Sequence, residues 1–171
     1  MAYHERKELD YDSYIYMQGR KARDPKEYKK ILANIDKRKR NFETIFTNVK
    51  HKLNKGSLLC LGARTGEEVD VAKQCGFYPC IGIDLYPLGG DVIKADWHDM
   101  PFDDDFFDNA YTNSIDHCYD VEILAMEIKR VLVPEGKFFF QVEKKKSVGD
   151  LEDPRPFIQN HKNDFLFWVR A

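Results

Sequence analysis

The chain has 171 residues, of which 43% are hydrophobic and 33% are charged, and its formal net charge is −2 at pH 7. This length predicts one domain with a single buried core, and the near-neutral charge argues against a protein that is basic overall and binds polyanions for that reason. No apolar run approaches the roughly 20 residues needed to cross a bilayer. The N-terminus lacks the apolar core of a signal peptide, and the four cysteines form no C-x-x-C pair, so we expect a reduced cytoplasmic protein without a membrane segment.

Residues 1–54 are predicted to form an N-terminal helical arm or cap. Residues 1–20 hold four tyrosines and are compatible with a short helix, an ordered arm or a disordered end. Asp24 followed by Pro25 is typical of a helix start. Apolar residues then recur every three or four positions up to Val49. This spacing predicts one long helix, or two helices with a break near residues 37–40.

Charge is spread unevenly along the chain. Residues 20–55 contain 13 Lys or Arg and 4 Asp or Glu, whereas residues 84–127 contain 12 Asp or Glu and only one Lys. The densest basic stretch is Lys37-Arg38-Lys39-Arg40. Such a stretch is either the footprint of a nucleic acid or the solvated face of a helix. No aromatic residue interleaves the four basic residues, which favours the solvated face.

The stretch from residue 58 to residue 69 has the order of a strand, a tight glycine turn and a helix. Four apolar residues end at Gly62, and Gly66 opens a segment of helical character. A glycine loop between a strand and a helix is typical of a nucleotide cradle, and Asp84 ends the next apolar run, where an acid accepts hydrogen bonds from ribose hydroxyls. Arg64 and Glu67 break the dinucleotide fingerprint, and no Lys-Ser or Lys-Thr follows Gly66 as in a P-loop. Glu67 and Glu68 would repel a pyrophosphate, whereas S-adenosylmethionine is cationic and has no phosphate.

Strands and helices alternate through the rest of the chain. Strands are predicted at residues 57–61, 78–83, 91–94, 109–112, 137–142 and 165–169, and helices at 66–74 and 120–131, with a turn at 134–136. This alternation predicts an α/β fold with a mostly parallel sheet and helices on both faces.

Several segments in this order resemble the motifs of class I S-adenosylmethionine-dependent methyltransferases of the type-11 kind. They are Leu61-Gly62-Ala63-Arg64-Thr65-Gly66, Ile81-Gly82-Ile83-Asp84-Leu85, Ala95-Asp96-Trp97-His98-Asp99-Met100-Pro101-Phe102, Phe107-Asp108-Asn109-Ala110-Tyr111 and Leu132-Val133-Pro134-Glu135-Gly136-Lys137. The resemblance covers about residues 56–143, with each motif weak alone and the ordered set strong. It implies a three-layer Rossmann-like domain over residues 55–171. Because only 29 residues follow residue 142, we expect a sheet reduced at its C-terminal end to about six strands rather than seven.

The resemblance also implies which residues bind S-adenosylmethionine. In that family, the acid at Asp96 accepts from the adenine amine, and Trp97 would stack on the adenine or pack in the core. Two departures from the family pattern are Cys60, where an acid is usual, and Arg64, where a glycine is usual. Arg64 would either pair with the methionine carboxylate or crowd the site. The full set of expected cofactor contacts is Gly62, Ala63, Arg64, Thr65, Gly66, Asp84, Leu85, Asp96, Trp97 and Asn113.

Asp116 and His117 are the candidate catalytic residues. They follow the fourth strand, and ligands of open parallel sheets bind beyond the carboxyl ends of the strands. A histidine titrates near neutrality and can take a proton from a hydroxyl or amine acceptor. The alternative is that His117 only lines the pocket and Asp116 caps a turn.

Metal binding and the methyl acceptor are less well indicated by the sequence. Asp103-Asp104-Asp105 lacks the alternation of a calcium loop, and His98 with Asp99 is a weak metal signal, so we expect no metal. A small molecule or carbohydrate is the favoured acceptor. A cofactor-binding or degenerate partner subunit is the first alternative, and a nucleic-acid methyltransferase that uses the basic helix is the second. The oligomeric state is left open.

Overall fold

The computed structural model describes residues 10–141 and the backbone of 165–169. Three helices come first: α1 at Tyr11–Ala22, α2 at Pro25–Ala33 and α3 at Ile35–Val49, followed by a 3-10 turn at Lys50–Lys52. Asp10 caps α1 by accepting from the backbone N–H of Ser13, and Asp24 caps α2 in the same way through Lys26. The expected break in the long helix lies at Asn34, just before the basic stretch.

The sheet follows and has six strands in the part of the chain that is described. They are β1 at Leu58–Leu61, β2 at Cys80–Asp84, β3 at Val92–Lys94, β4 at Phe107–Thr112, β5 at Leu132–Gln141 and β6 at Phe165–Val169. Helix α4, at Glu67–Gln74, joins β1 to β2, and helix α5, at Val121–Val131, joins β4 to β5. A 3-10 turn at Ile115–His117 precedes α5.

The strand order is β3-β2-β1-β4-β5-β6. The first five strands are parallel, and β6 pairs antiparallel to β5 with Phe139 opposite Phe167. The sequence therefore predicted the α/β class and the mainly parallel sheet correctly. The turn expected at 134–136 is instead an irregular part of β5, where Glu135 has a φ of +62°.

Two apolar clusters cover the two faces of the sheet. One packs α3 and α4 onto it through Phe42, Phe46, Val69 and Tyr111. The other packs α5 onto the opposite face through Leu124, Ile128 and Phe107. Alternate residues of the central strand β1 enter opposite clusters, as the two-residue period of a strand requires. Cys60 and Cys80 are buried free thiols, as expected.

The parallel strands β1 to β4 all end at one edge of the sheet, which we call the carboxyl edge. The loops after these four strands hold the residues expected to bind a cofactor, so this edge is the candidate site. Among the described residues, no helix is long and apolar enough to span a membrane.

Candidate cofactor site

The loop after β1 is a tight turn with a left-handed backbone at three positions. Gly62 has a φ of +72°, Arg64 of +30° and Gly66 of +81°. A Cβ on Gly62 would lie 3.2 Å from the Cβ of Ser114, in the loop after β4. The left-handed backbone and this close contact both favour glycine at residue 62. Arg64 stands where the family usually has a glycine, and its backbone is also left-handed. This conformation is unfavourable for a residue that has a side chain.

Asp84, at the end of β2, holds this loop in place. Its carboxylate accepts from the backbone N–H of Arg64 at 3.1 Å and from that of Tyr86 at 2.7 Å. Burial raises the pKa of Asp84, and these two N–H groups oppose the rise because they stabilise the ionised form. Each carboxylate oxygen has a second lone pair, so Asp84 could still accept hydrogen bonds from a ribose. That ribose contact stays a prediction. The carboxylate also has a structural role that the sequence did not indicate.

Helix α1 lies across the carboxyl edge and contacts the loops after all four strands. The Arg64 guanidinium donates to the carbonyl of Ala22 at 2.8 Å, and the Tyr86 hydroxyl donates to the carbonyl of Ile15 at 3.1 Å. The Tyr14 hydroxyl donates to the carbonyl of His117 at 2.9 Å. The sequence left a short helix, an ordered arm or a disordered end open for the first 20 residues. The described part, from residue 10 onward, is a helix capped by Asp10. Arg64 points toward α1, and Leu85 lines a cleft of about 380 Å³ between the end of α1 and the loop after β2.

The loops after β3 and β4 are joined by a set of groups that we call the histidine cluster: Tyr11, Asp96, His98 and the backbone N–H of Asp120. The Tyr11 hydroxyl donates to one oxygen of Asp96. The other oxygen accepts from the backbone N–H of His98 at 2.9 Å and lies 2.8 Å from its ring Nδ1. The Nε2 of His98 accepts from the N–H of Asp120 at 3.1 Å. The acceptor role of Nε2 assigns the ring proton to Nδ1, which faces Asp96.

Trp97 points into the core beneath the glycine loop. Its side chain is 8% exposed and packs in the cluster that contains Leu61, Ile83 and Met100. Its ring carbon Cζ3 lies 3.5 Å from the position of a Cβ on Gly62. The Trp97 ring therefore packs in the core, which was one of the two predicted roles. The other role, stacking on an adenine, stays a prediction.

The loop after β4 holds the expected polar residues, with different degrees of exposure. The Thr112 hydroxyl donates to the carbonyl of Leu61 at 2.9 Å, which ties β4 to β1, and Asn113 accepts from the Ser114 hydroxyl at 3.1 Å. The Asp116 and His117 side chains are 58% and 44% exposed, and their closest polar atoms are 4.0 Å apart. This separation is longer than a hydrogen bond, so the two side chains are neighbours that are not hydrogen-bonded to each other.

A second polar group at this edge, which we call the carboxylate cluster, consists of Arg38, Glu67, Glu68 and Tyr111. Glu67 and Glu68 are 1% and 2% exposed in the first turn of α4. One Glu67 oxygen accepts from the Thr65 hydroxyl at 2.6 Å and lies 3.5 Å from the Arg38 guanidinium. Burial raises the pKa of Glu68 to about 8; Arg38 acts against the rise, and Glu67 and Asp84 add to it. The sequence identified the two glutamates only as a charge that repels phosphate.

The methyltransferase domain family matches residues 59–140, which includes all four loops of the carboxyl edge. YrhH of Bacillus subtilis, a proposed methyltransferase, is 26% identical over 102 residues, which is 58% of this chain and 52% of YrhH. The chain thus spans about half the length of the curated relative that it matches.

Two solved structures share the fold. One is a proposed S-adenosyl-L-methionine-dependent methyltransferase of Methanococcus maripaludis, with 18% identity, a TM-score of 0.57 and coverage of 68% of this chain and 61% of that one. The other comes from a complex between the Haloferax volcanii Trm112 methyltransferase activator and a proposed methyltransferase, with 23% identity, a TM-score of 0.50 and coverage of 63% and 57%. At these identities the likeness establishes the fold.

Proposed function

We propose that this chain, which belongs to the class I S-adenosylmethionine-dependent methyltransferase family, transfers the methyl group of S-adenosylmethionine to a small molecule or a carbohydrate. The observation that carries the proposal is the tight loop of residues 62–66, which Asp84 fixes at the carboxyl edge. Glu67 follows the loop directly and would repel a pyrophosphate, which favours a cationic, phosphate-free nucleoside over a dinucleotide.

The residues at the carboxyl edge fit this cofactor. The loop backbone from Gly62 to Gly66 would contact its thioether region, Asp84 and Leu85 its ribose, and Asp96 and Trp97 its adenine, with Asn113 closing the site from β4. Several buried polar atoms next to the loop, on Arg38, Glu67 and Glu68, have no partner among the described residues. An incomplete buried network of this kind is expected where a polar ligand completes it.

The cofactor supplies a methyl carbon already activated by a sulfonium leaving group. The chain has to hold the acceptor in line with that carbon, keep competing water out and take a proton where the acceptor is a hydroxyl or an amine. Asp116 and His117 are the proposed proton acceptors, because their side chains are 58% and 44% exposed in the loop after β4, at the carboxyl edge. We propose that residues 1–54 act as the cap of the site, with α1 as the part that covers the loops.

Titration of the full chain with S-adenosylhomocysteine by calorimetry tests the proposal. We expect saturable binding of one nucleoside per chain. The absence of saturation at millimolar ligand would instead support the first alternative, a degenerate partner subunit, which Arg64 at a glycine position favours. The similar Haloferax volcanii protein is in a complex with an activator. Co-expression with a candidate activator subunit therefore controls for the case in which this chain binds the nucleoside only as part of a complex.

The nucleic-acid alternative is weakened by ion pairs within the chain. Arg38 contacts Glu67, and Lys39 contacts Asp70 at 3.1 Å, so two of the four basic residues already face acids of α4. A nucleic-acid enzyme would bind RNA or DNA, and the logarithm of its binding constant would fall steeply as the logarithm of the salt concentration rises. We expect no such dependence.

A further inference from the structure

Helix α1 is attached to the candidate site by hydrogen bonds at both of its ends. At its first residue, the Tyr11 hydroxyl donates to Asp96. At its last residue, the carbonyl of Ala22 accepts from the Arg64 guanidinium at 2.8 Å. The last carbonyls of a helix have no partner within the helix, and a cation beside them is favourable. Arg64, which stands where the family usually has a glycine, therefore ties the glycine loop to α1.

Between these two ends, α1 packs directly on the loop after β2. A Cβ on Gly19 would lie 2.7 Å from the hydroxyl oxygen of Tyr86, so the helix backbone and that side chain are in direct contact. The same hydroxyl donates to the carbonyl of Ile15 at 3.1 Å. The docked helix therefore covers this part of the carboxyl edge.

Asp96 is the acid expected to accept the adenine amine, and α1 uses part of its hydrogen-bonding capacity. One oxygen accepts from both the backbone N–H and the ring Nδ1 of His98, which occupies its two lone pairs. The other oxygen faces Tyr11, whose ring packs on those of His98 and Tyr119 at centroid distances of 5.9 and 5.1 Å. An adenine amine that reaches Asp96 therefore meets the oxygen that Tyr11 already holds.

We propose that the docked α1 is autoinhibitory: it competes with S-adenosylmethionine for the carboxyl edge, and Tyr11 and Arg64 are the two residues that latch it there. The inference rests on the proposed function, because the competing ligand is the proposed cofactor. A helix that closes over a bound ligand is the opposite arrangement, since its contacts would then raise the affinity. Under autoinhibition, one equilibrium between docked and released α1 sets both the affinity for the cofactor and the protection of the α1 backbone.

Three substitutions weaken the docking of α1 in different ways. Tyr11→Phe removes one latching hydroxyl and keeps the ring. Arg64→Gly removes the other latch and introduces the residue that suits a left-handed backbone. Gly19→Ala changes no residue expected to contact the cofactor, yet its methyl group would collide with the tyrosine of the loop after β2. Tyr16→Phe is the matched control, because Tyr16 lies on the same helix and is 64% exposed.

Calorimetry on the full chain with S-adenosylhomocysteine measures the affinity of each variant. Binding should become about fivefold tighter in Tyr11→Phe and about tenfold tighter in Arg64→Gly, as expected when one hydrogen bond that opposes binding is lost. Gly19→Ala should also bind more tightly than the wild type. Tyr16→Phe should bind as the wild type does.

Hydrogen exchange of the α1 amides gives a second readout that a merely structural role would not produce. Saturating S-adenosylhomocysteine should speed exchange in α1 of the wild type, because the ligand selects the released helix. In the proteins without nucleoside, the fold loss of α1 protection in each variant should equal its fold gain in affinity, since both report the same equilibrium.

The outcomes separate the two proposals. If S-adenosylhomocysteine slows exchange in α1 and binds the variants more weakly, α1 closes over the ligand; autoinhibition is then wrong and the methyltransferase proposal stands. Equal affinities for the wild type and all variants would likewise contradict autoinhibition alone. If neither the wild type nor any variant binds the nucleoside, the proposed function falls and autoinhibition falls with it. Binding by Tyr11→Phe or Arg64→Gly and not by the wild type would support both proposals.

Discussion

The histidine cluster and the carboxylate cluster lie at the same edge of the sheet, and they differ in whether their atoms find partners inside the chain. In the histidine cluster, both oxygens of Asp96 and both ring nitrogens of His98 are hydrogen-bonded to groups of this protein. In the carboxylate cluster, atoms of Arg38, Glu67 and Glu68 stay unpartnered although they are buried.

The difference shows that polar residues at a binding edge do two separate jobs. A complete network fixes the geometry of loops, and its members contribute to stability because each bond replaces one to water. An incomplete network costs stability until a ligand supplies the missing groups. Four substitutions test this contrast, and the expected effects decrease from the first to the last.

Glu68→Gln should remove a large pH dependence of stability. Burial raises the pKa of Glu68 from 4.5 to about 8, so the folded state binds this proton more tightly than the unfolded state. The free energy of unfolding of the wild type should therefore fall relative to the variant as pH rises from about 4.5 to about 8, on the order of 4 kcal/mol in total. Urea denaturation of the free protein across this range measures the effect.

Several charged or titratable groups from neighbouring elements act on Glu68 and are kept in this comparison. They are Arg38 on α3, Glu67 on α4, Asp84 on β2, Cys60 on β1 and Tyr111 on β4. Asp70→Asn is the control and should retain the pH slope of the wild type. Parallel pH profiles for the wild type and Glu68→Gln would show that Glu68 does not titrate in this window.

His98→Ala should destabilise the protein by about 3 kcal/mol, because it breaks two side-chain hydrogen bonds of a complete, partly buried network and leaves a cavity. The midpoint of urea unfolding measures this loss. His51→Ala is the matched control: its side chain is exposed in the 3-10 turn Lys50–Lys52, so its effect should stay within about 0.5 kcal/mol. Equal effects of the two substitutions would mean that the histidine cluster does not fix the loops.

Asp84→Ala should weaken S-adenosylhomocysteine by about 1.5–3 kcal/mol, the scale of a hydrogen bond to a charged group. Calorimetry measures the affinity, and unfolding of the free variant separates loss of the ribose contact from loosening of the Arg64 loop. Asp84→Asn keeps one carbonyl oxygen and should fall between the wild type and Asp84→Ala. An unchanged affinity in both variants would remove Asp84 from the binding site.

Tyr11→Phe should have the smallest effect, about 1 kcal/mol, because it removes one hydroxyl and keeps the ring. The ring packs on Tyr14, His98 and Tyr119, so α1 should stay docked but exchange its amide hydrogens faster. Tyr16→Phe is the control, since that side chain is 64% exposed. Exchange rates in α1 that match the wild type would show that the Tyr11–Asp96 bond does not hold the cap.

The sequence predicted most of the fold because its signals are local. Apolar runs ending in Gly62 and Asp84 placed β1 and β2 within one or two residues, and the Asp120 cap placed the start of α5. The sequence misplaced the start of β5, because Pro134, Glu135 and Gly136 are residues typical of a turn. In the structure the same three residues lie in an irregular part of the strand, where the pairing with β4 shifts as at a β-bulge. Residues 142–164 lie outside the described part of the chain, and so does that part of the predicted tail.

The chain order alone determined the glycine loop, the acid at residue 84 and the resemblance to the methyltransferase family, because these depend on neighbours along the sequence. Only the tertiary structure decided which distant residues meet at the carboxyl edge. Tyr11 and Asp96 are 85 positions apart, and Arg38 and Glu67 are 29 apart. No periodicity links such pairs, and burial is set by how helices cover a sheet rather than by residue type. This is why the sequence identified Glu67 and Glu68 only as acids that repel a pyrophosphate, whereas the fold buries both of them and places Glu67 beside Arg38.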